Sequence, residues 1–122
     1  MKALLDTNVV IHREAYKASN LSIGQLYRWL DELKYIKCIH PITVAEINRH
    51  GNDETVRSMG IKMESYTQLK TIAPINHRIQ NIIDNEDNDE NDKNDSRLLN
   101  ELMEGRVDIF ITEDKKIYIR FK

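Results

Sequence analysis

A single cysteine, Cys38, stands among 122 residues, so no intramolecular disulfide can form. With no disulfide framework, a reducing cytoplasm is the expected compartment. Cys38 lies in the apolar-flanked run Tyr35-Ile36-Lys37-Cys38-Ile39, where a small buried thiol is the ordinary expectation. Long apolar runs are also missing: none approaches the roughly 18 residues of a membrane-spanning helix. The opening MKALLDTNVVIH is broken by Asp6 and is followed by no small-residue cleavage site, so neither a signal peptide nor a membrane partner is expected. A basic excess is absent too. The 18 basic and 20 acidic residues give a net charge of -2, unlike domains that hold nucleic acid by bulk charge. That balance still permits local engagement of a polyanion where a bound cation supplies the positive charge. The four glycines build no phosphate-cradling loop, and His12, His40, His50 and His77 have no metal-ligand spacing. With no internal repeat and no shift in composition, one domain over residues 1–122 is expected, a size that can bury a core without staples.

What is there is an alternation of strand and helix patterns. Lys2 to Leu5 reads as a short buried strand ending at Asp6. Ser22 opens a helix with Gln25 at capping-box spacing, and Ile23, Leu26, Tyr27, Leu30 and Leu33 form its apolar face. Tyr35 to His40 reads as a second strand, stopped by Pro41. A helix is expected from Thr43, with Glu46 three residues on, ending at the turn signal Gly51-Asn52-Asp53. Another runs from Glu54 to Leu69 with Val56, Met59, Met63 and Tyr66 on one stripe. A strand at Ile72 to Pro74 and a helix from Ile75 to Asp84 follow, the helix with Ile79, Ile82 and Ile83 inward. The stretch DNEDNDENDKND, Asp84 to Asp95, offers nothing to build a core and is expected as a solvated loop. Asp95 then opens a helix bearing Leu98, Leu99, Leu102 and Met103, which Gly105 ends. Asp108 to Thr112 reads as a buried strand, and the alternation of Ile117, Ile119 and Phe121 with polar residues predicts a last edge strand. Such alternation predicts an α/β fold with a mainly parallel sheet.

In an open parallel sheet, ligands bind beyond the carboxyl ends of the strands. Asp6 follows the first strand, Asp114 follows the DIFIT strand after one residue, and Glu46 lies early in the helix after the second strand. The helix from Asp95 leads back into the DIFIT strand, which returns Asp95 to the same edge. Gathered carboxylates repel by roughly 1 kcal/mol per pair at about 4 Å in water, and by more where water is excluded. Mg²⁺ or Mn²⁺, which prefer oxygen ligands, would offset that repulsion and equip the edge for phosphodiester hydrolysis. Each acid also has an ordinary structural reading. Asp6 and Asp114 suit turn caps, Glu46 completes a capping box with Thr43, and Asp95 suits a helix start. Only their joint placement argues for a site.

These residues also carry a resemblance. LLDTNVVIH, ITVAEI, NDSRLLNEL and VDIFITEDKKI resemble, in order and over nearly the whole chain, the motifs of PIN domains. The first and last are the most specific. The resemblance implies a three-layer α/β/α fold with a central mainly parallel sheet. It implies a metal-dependent endoribonuclease, in many members the toxin of a toxin–antitoxin pair, with RNA as substrate, Mg²⁺ or Mn²⁺ as cofactor, an antitoxin protein as partner and a homodimer as assembly. It assigns Asp6, Glu46, Asp95 and Asp114 as the catalytic, metal-binding acids and Asn8 and Thr112 as accessory polar positions. Family members continue past the TED segment through a helix-like stretch and a last strand, whereas IYIRF at 117–121 does not resemble that continuation. A chain cut short at its C-terminus is the corresponding expectation.

Rival readings are weaker. Asp87, Asp89 and Asn91 fit the first ligand positions of a calcium loop, but Asp92 stands where glycine is needed and Leu98 where glutamate is needed. Asp6-Thr7-Asn8 is similar to the start of phospho-aspartate phosphatases, which want a second aspartate where Asn8 stands. Arg13, Lys17, Arg97, Lys115 and Lys116 are candidates for phosphate contact, although solvated surface is their commoner role. The rival of another class is a catalytically silent PIN-like RNA-binding or protein-interaction module.

Overall fold

The computed structural model describes residues 1–15, 21–50, 53–85 and 89–113. Among them are four strands: β1 (Lys2–Leu5), β2 (Ile36–Ile39), β3 (Thr67–Gln68) and β4 (Ile109–Ile111). Six helices accompany them among the described residues: α1 (Thr7–Ala15), α2 (Leu21–Glu32), α3 (Pro41–His50), α4 (Asp53–Met63), α5 (His77–Asn85) and α6 (Glu90–Met103). The strands form one sheet in the order β3-β2-β1-β4, and every pairing is parallel. The register sets Leu4 beside both Cys38 and Phe110. The molecule is therefore mixed α/β with a parallel sheet, as the alternating pattern predicts.

Period-two alternation along the strands divides the core. Ala3, Leu5 and Ile39 face Val9 and Val10 of α1, Ile23, Tyr27 and Leu30 of α2, Ile47 of α3 and Met59 and Met63 of α4. Leu4 and Cys38 face the other way, against Leu69, Leu98 and Val107, and Ile79, Ile83 and Leu99 extend that side between α5 and α6. Helices α1 to α4 thus cover one face and α5 and α6 the other, an α/β/α layering. No described helix is long and apolar enough to cross a membrane.

The first face is closed by a tyrosine pair. The hydroxyls of Tyr27 and Tyr66 lie 2.7 Å apart, their rings meet edge to face at 6.3 Å, and the Arg13 guanidinium sits 5.1 Å above the Tyr27 ring. Burial raises both phenols, Tyr66 to about 12, so the pair is neutral at ordinary pH. The end of α2 uses a left-handed residue. Lys34 has φ 61°, its N–H donates to Asp31 O, and Tyr35 N–H donates to Leu30 O. Gly105, φ 74°, occupies the corresponding place after α6, with Gly105 N–H on Leu102 O and Arg106 N–H on Glu101 O. The outward side of α2 leaves Trp29 55 % exposed.

Several sequence expectations need correction. Helix α1 has no counterpart among them, because it follows β1 with a single intervening residue and no turn signal. Leu33 lies beyond the end of α2 and is exposed, whereas Ile23, Tyr27 and Leu30 are buried as expected. Pro41 opens α3 instead of merely stopping β2; its missing N–H is no loss in a first helical turn. The third strand is Thr67–Gln68, not Ile72 to Pro74, and α4 stops at Met63. Most of the acidic stretch is helical: α5 extends to Asn85 and α6 begins at Glu90. Asp89 caps α6 by accepting from Asp92 N–H at 2.8 Å, and Glu90 and Asp92 in its first turn suit the positive end of the helix dipole. Asp95 therefore lies within α6 and does not open it. Gly51 and Asn52 of the expected turn and the expected strand at 117–122 lie outside the described residues.

Candidate metal and phosphate site at the carboxyl edge

The strand order places β1 between β2 and β4, so the chain reverses its direction of progress across the sheet at the β1/β4 boundary. Parallel α/β sheets have their natural crevice beyond the strands at such a point. Asp6 stands there, with its N–H on Ile111 O of β4 at 2.9 Å. Its carbonyl accepts Val10 N–H at 3.2 Å, which makes it the residue from which α1 springs. The side chain is only 4 % exposed. Oδ1 accepts Thr7 N–H at 2.7 Å, and Oδ2 accepts the Thr112 hydroxyl at 2.7 Å from the far side of the crevice. A carboxylate kept out of water needs such bonds, and the N-terminus of α1 adds favourable potential.

Thr7 continues the network. Its hydroxyl lies 2.9 Å from that of Thr43, and both residues are buried. This corrects the capping-box reading of Thr43 and Glu46, because Thr43 is the third residue of α3 and not its cap. The helix start is capped by His40 instead, whose Nδ1 accepts Ile42 N–H at 3.1 Å. Glu46 lies one turn further along α3, partly buried, and its Oε1 accepts from Asn94 Nδ2 at 3.4 Å. Asn94 in turn accepts from Arg97 Nη1 at 2.7 Å, and Arg97 also donates to Glu90 at 2.8 Å. Asp95, on the same stretch of α6, is partly exposed.

Of the six positions expected to form the site, Asp6 and Thr112 are in direct contact. Asn8 is exposed on the first turn of α1, and Glu46 reaches α6 at Asn94 beside Asp95. Asp114 lies outside the described residues. Among the described residues, no three His, Cys, Asp or Glu side chains gather closely enough to hold a metal ion. The donor chemistry is nonetheless that of a hard cation: carboxylate oxygens with hydroxyl and amide support. Mg²⁺ in particular is commonly held by one or two carboxylates and waters, which requires no cage of three side chains.

Residues without a site role in the sequence reading also stand near this edge. His12, one turn along α1 from Asn8, has Nδ1 3.0 Å from Glu113 Oε1 at the end of β4. Its spacing from Asn8 was the signal available. His40, directly after β2, is fully buried with Nε2 2.9 Å from Glu101 Oε1 on α6. Burial lowers the His40 pKa, and the hydrogen bond and charge of Glu101 offset part of that. Its signal was its place, since it follows β2 as Asp6 follows β1. Asp92, Asn94 and Ser96 are buried on the first turns of α6; for Asp92 and Asn94 composition alone suggested a loop. Of the candidate phosphate contacts, Arg13 stacks on Tyr27 and Arg97 is engaged within α6, while Lys17, Lys115 and Lys116 lie outside the described residues. Comparison of the chain with protein-family models, with curated proteins and with solved structures finds no match.

Proposed function

We propose that the chain is a metal-dependent endoribonuclease of PIN type, with Asp6, Glu46, Asp95 and Asp114 as its acidic set. The observation that carries this reading is Asp6: a carboxylate buried at the β1/β4 crossing, with one oxygen bonded to Thr7 N–H and the other to the Thr112 hydroxyl. A cap for α1 needs no donor from the residue that follows β4, whereas a fixed metal ligand gains from one. Asp6, Asp95 and Asp114 would hold Mg²⁺ or Mn²⁺, with Asn8 and Thr112 orienting ligands or water. When bound, such a cation supplies Lewis acidity at a phosphoryl oxygen. The Glu46 carboxylate, whose Oε1 accepts from Asn94 Nδ2, would bind the metal or orient the attacking water. Water attacks phosphorus in line and gives up a proton to the Glu46 carboxylate or to solvent, the phosphorus–oxygen bond to the ribose breaks as the leaving oxygen takes up a proton from solvent, and no covalent enzyme intermediate forms. The toxin–antitoxin setting and a homodimer belong to the same proposal through the family resemblance alone.

The test is cleavage of single-stranded and structured RNAs with Mn²⁺, with Mg²⁺ and with EDTA. Cleavage is expected with either metal and not with EDTA. Asp6→Asn and Glu46→Gln are each expected to lower it by about a hundredfold or more. Cleavage that survives EDTA, or an Asp6→Asn protein as active as the parent, overturns the reading. The alternative is a catalytically silent RNA-binding or protein-interaction module of the same fold. RNA binding without cleavage in either metal would favour it, and a covalent phosphate on Asp6 would favour the phosphatase.

A further inference from the structure

We propose that His40 and Glu101 are positioning residues whose buried bond sets the register of α3, which carries Glu46, against α6, which carries Asp95. The inference rests on the reading of those two acids as site residues; its geometric half stands without it.

His40 is the hinge residue between β2 and α3, and both edges of its ring are used. An amide N–H is always a donor, so Nδ1, which receives Ile42 N–H at 3.1 Å, must be unprotonated. The ring proton is then on Nε2, which donates to Glu101 Oε1 at 2.9 Å. The same Oε1 accepts Ala73 N–H at 3.0 Å, and Oε2 faces Arg106 Nη1 at 3.3 Å without a hydrogen-bond partner of its own. Neither His40 nor Glu101 has any exposure to solvent.

A second bridge joins the same two segments. Glu46 is six residues beyond His40, and Asn94 is seven residues before Glu101. At 1.5 Å of rise per residue these intervals are about 9 Å and about 10 Å, traversed in opposite senses. The His40–Glu101 and Glu46–Asn94 bridges therefore act as two rungs between antiparallel segments. The lower rung is short and fully buried, while the upper is 3.4 Å long and only partly buried. The firm rung fixes the register, and the loose one, at the proposed chemistry, follows it. Across the crevice, the Thr7–Thr43 contact fixes the other side of α3 to α1.

Two substitutions separate the functions of the imidazole. In His40→Asn the side-chain oxygen can still accept Ile42 N–H, but the chain is too short to reach Glu101. In His40→Gln the amide can still reach Glu101, but nothing stands at the Nδ1 position. The register is read from the Asn94 side-chain NH₂ resonances in a ¹⁵N correlation spectrum, with Glu46→Gln as the reference for a disturbed upper rung. Turnover is read as kcat and KM for Mn²⁺-dependent RNA cleavage. His40→Asn is expected to move the Asn94 resonances and to lower kcat at least tenfold with KM within about twofold. His40→Gln is expected to keep the Asn94 resonances at their parent positions. Glu101→Met, which keeps the length and removes the acceptor, serves if His40→Asn does not fold; it too is expected to shift Asn94. Unmoved Asn94 resonances in a folded His40→Asn or Glu101→Met protein overturn the proposal. So does movement in His40→Gln alone, which would make the α3 cap the controlling contact. If the parent cleaves no RNA, the nuclease reading fails, and the Asn94 resonances still decide whether His40–Glu101 holds the register.

Discussion

The two faces of the sheet are held by different chemistry. Against Ala3, Leu5 and Ile39 lies one large apolar cluster, and its chief polar element is the neutral Tyr27–Tyr66 pair. Against Leu4 and Cys38 the apolar clusters are smaller and share the interior with His40, Asn100 and Glu101, all three fully buried. Asn100 and Glu101 fasten the segment before α5 through Asn76 N–H, Pro74 O and Ala73 N–H. Hydrocarbon packing tolerates small shifts, whereas a buried hydrogen-bonded carboxylate does not. The less tolerant face supplies α6, and with it Asp95 and the Asn94 contact to Glu46. Geometric specificity is concentrated on the side where the proposed chemistry needs it.

The largest expected break in this contrast is Glu101→Ala. It strands the His40 and Ala73 donors inside the protein and removes the carboxylate from Arg106, so a loss of about 3–5 kcal/mol is expected from urea denaturation. Leu5→Ala, on the hydrocarbon face, is expected to cost about 2–5 kcal/mol through a cavity. A Glu101→Ala loss under 1 kcal/mol would show the carboxylate to be dispensable. The same cluster predicts an acid response. His40 takes up its proton near pH 6.5 in the unfolded chain and only at lower pH in the fold, because burial, and to a lesser degree Arg106, outweigh the attraction of Glu101. The unfolded chain therefore binds more protons in that window. The His40 contribution is complete above pH 6.5 and is lost as pH falls through the folded value. Denaturation midpoints measured from about pH 7 to about pH 5 should decline, with a flatter slope in His40→Gln. A parent slope no steeper than that of the variant would refute the assignment.

Smaller effects test the first face and the helix ends. Tyr66→Phe leaves the buried Tyr27 hydroxyl without its partner and should cost about 1–3 kcal/mol, independent of pH between about 5 and 8. Thermal melts at both ends of that range would show it. Lys34→Gly should gain up to about 1 kcal/mol, because a left-handed conformation is costly for any residue with a Cβ. α6 already has Gly105 at this place and α2 does not. A loss of melting temperature in Lys34→Gly would mean that the Lys34 side chain offsets its own strain.

Local pattern made much of this legible. β1 was readable to the residue, because its buried run ends abruptly at a charge, and that strand end also marked Asp6; Thr112 entered only through the family resemblance, and its bond to Asp6 was not foreseen. β3 was not, because Thr67 and Gln68 are exposed and are a strand only through pairing with β2. The start of α6 was hidden by composition: a stretch that looks unfit for a core begins a helix capped by Asp89, with Asp92 and Asn94 turned inward. The His40–Glu101 bond joins residues 61 apart, and no local pattern announces it.

Trp29 has a practical consequence. It is the one tryptophan in the chain, and more than half of its surface is in water in the folded protein. Its emission should already be red-shifted and open to collisional quenching by acrylamide, so unfolding will change its wavelength little. Far-ultraviolet dichroism of the helices, or the near-ultraviolet band of the buried tyrosines, will report the transition; indole fluorescence will report what touches the outer side of α2.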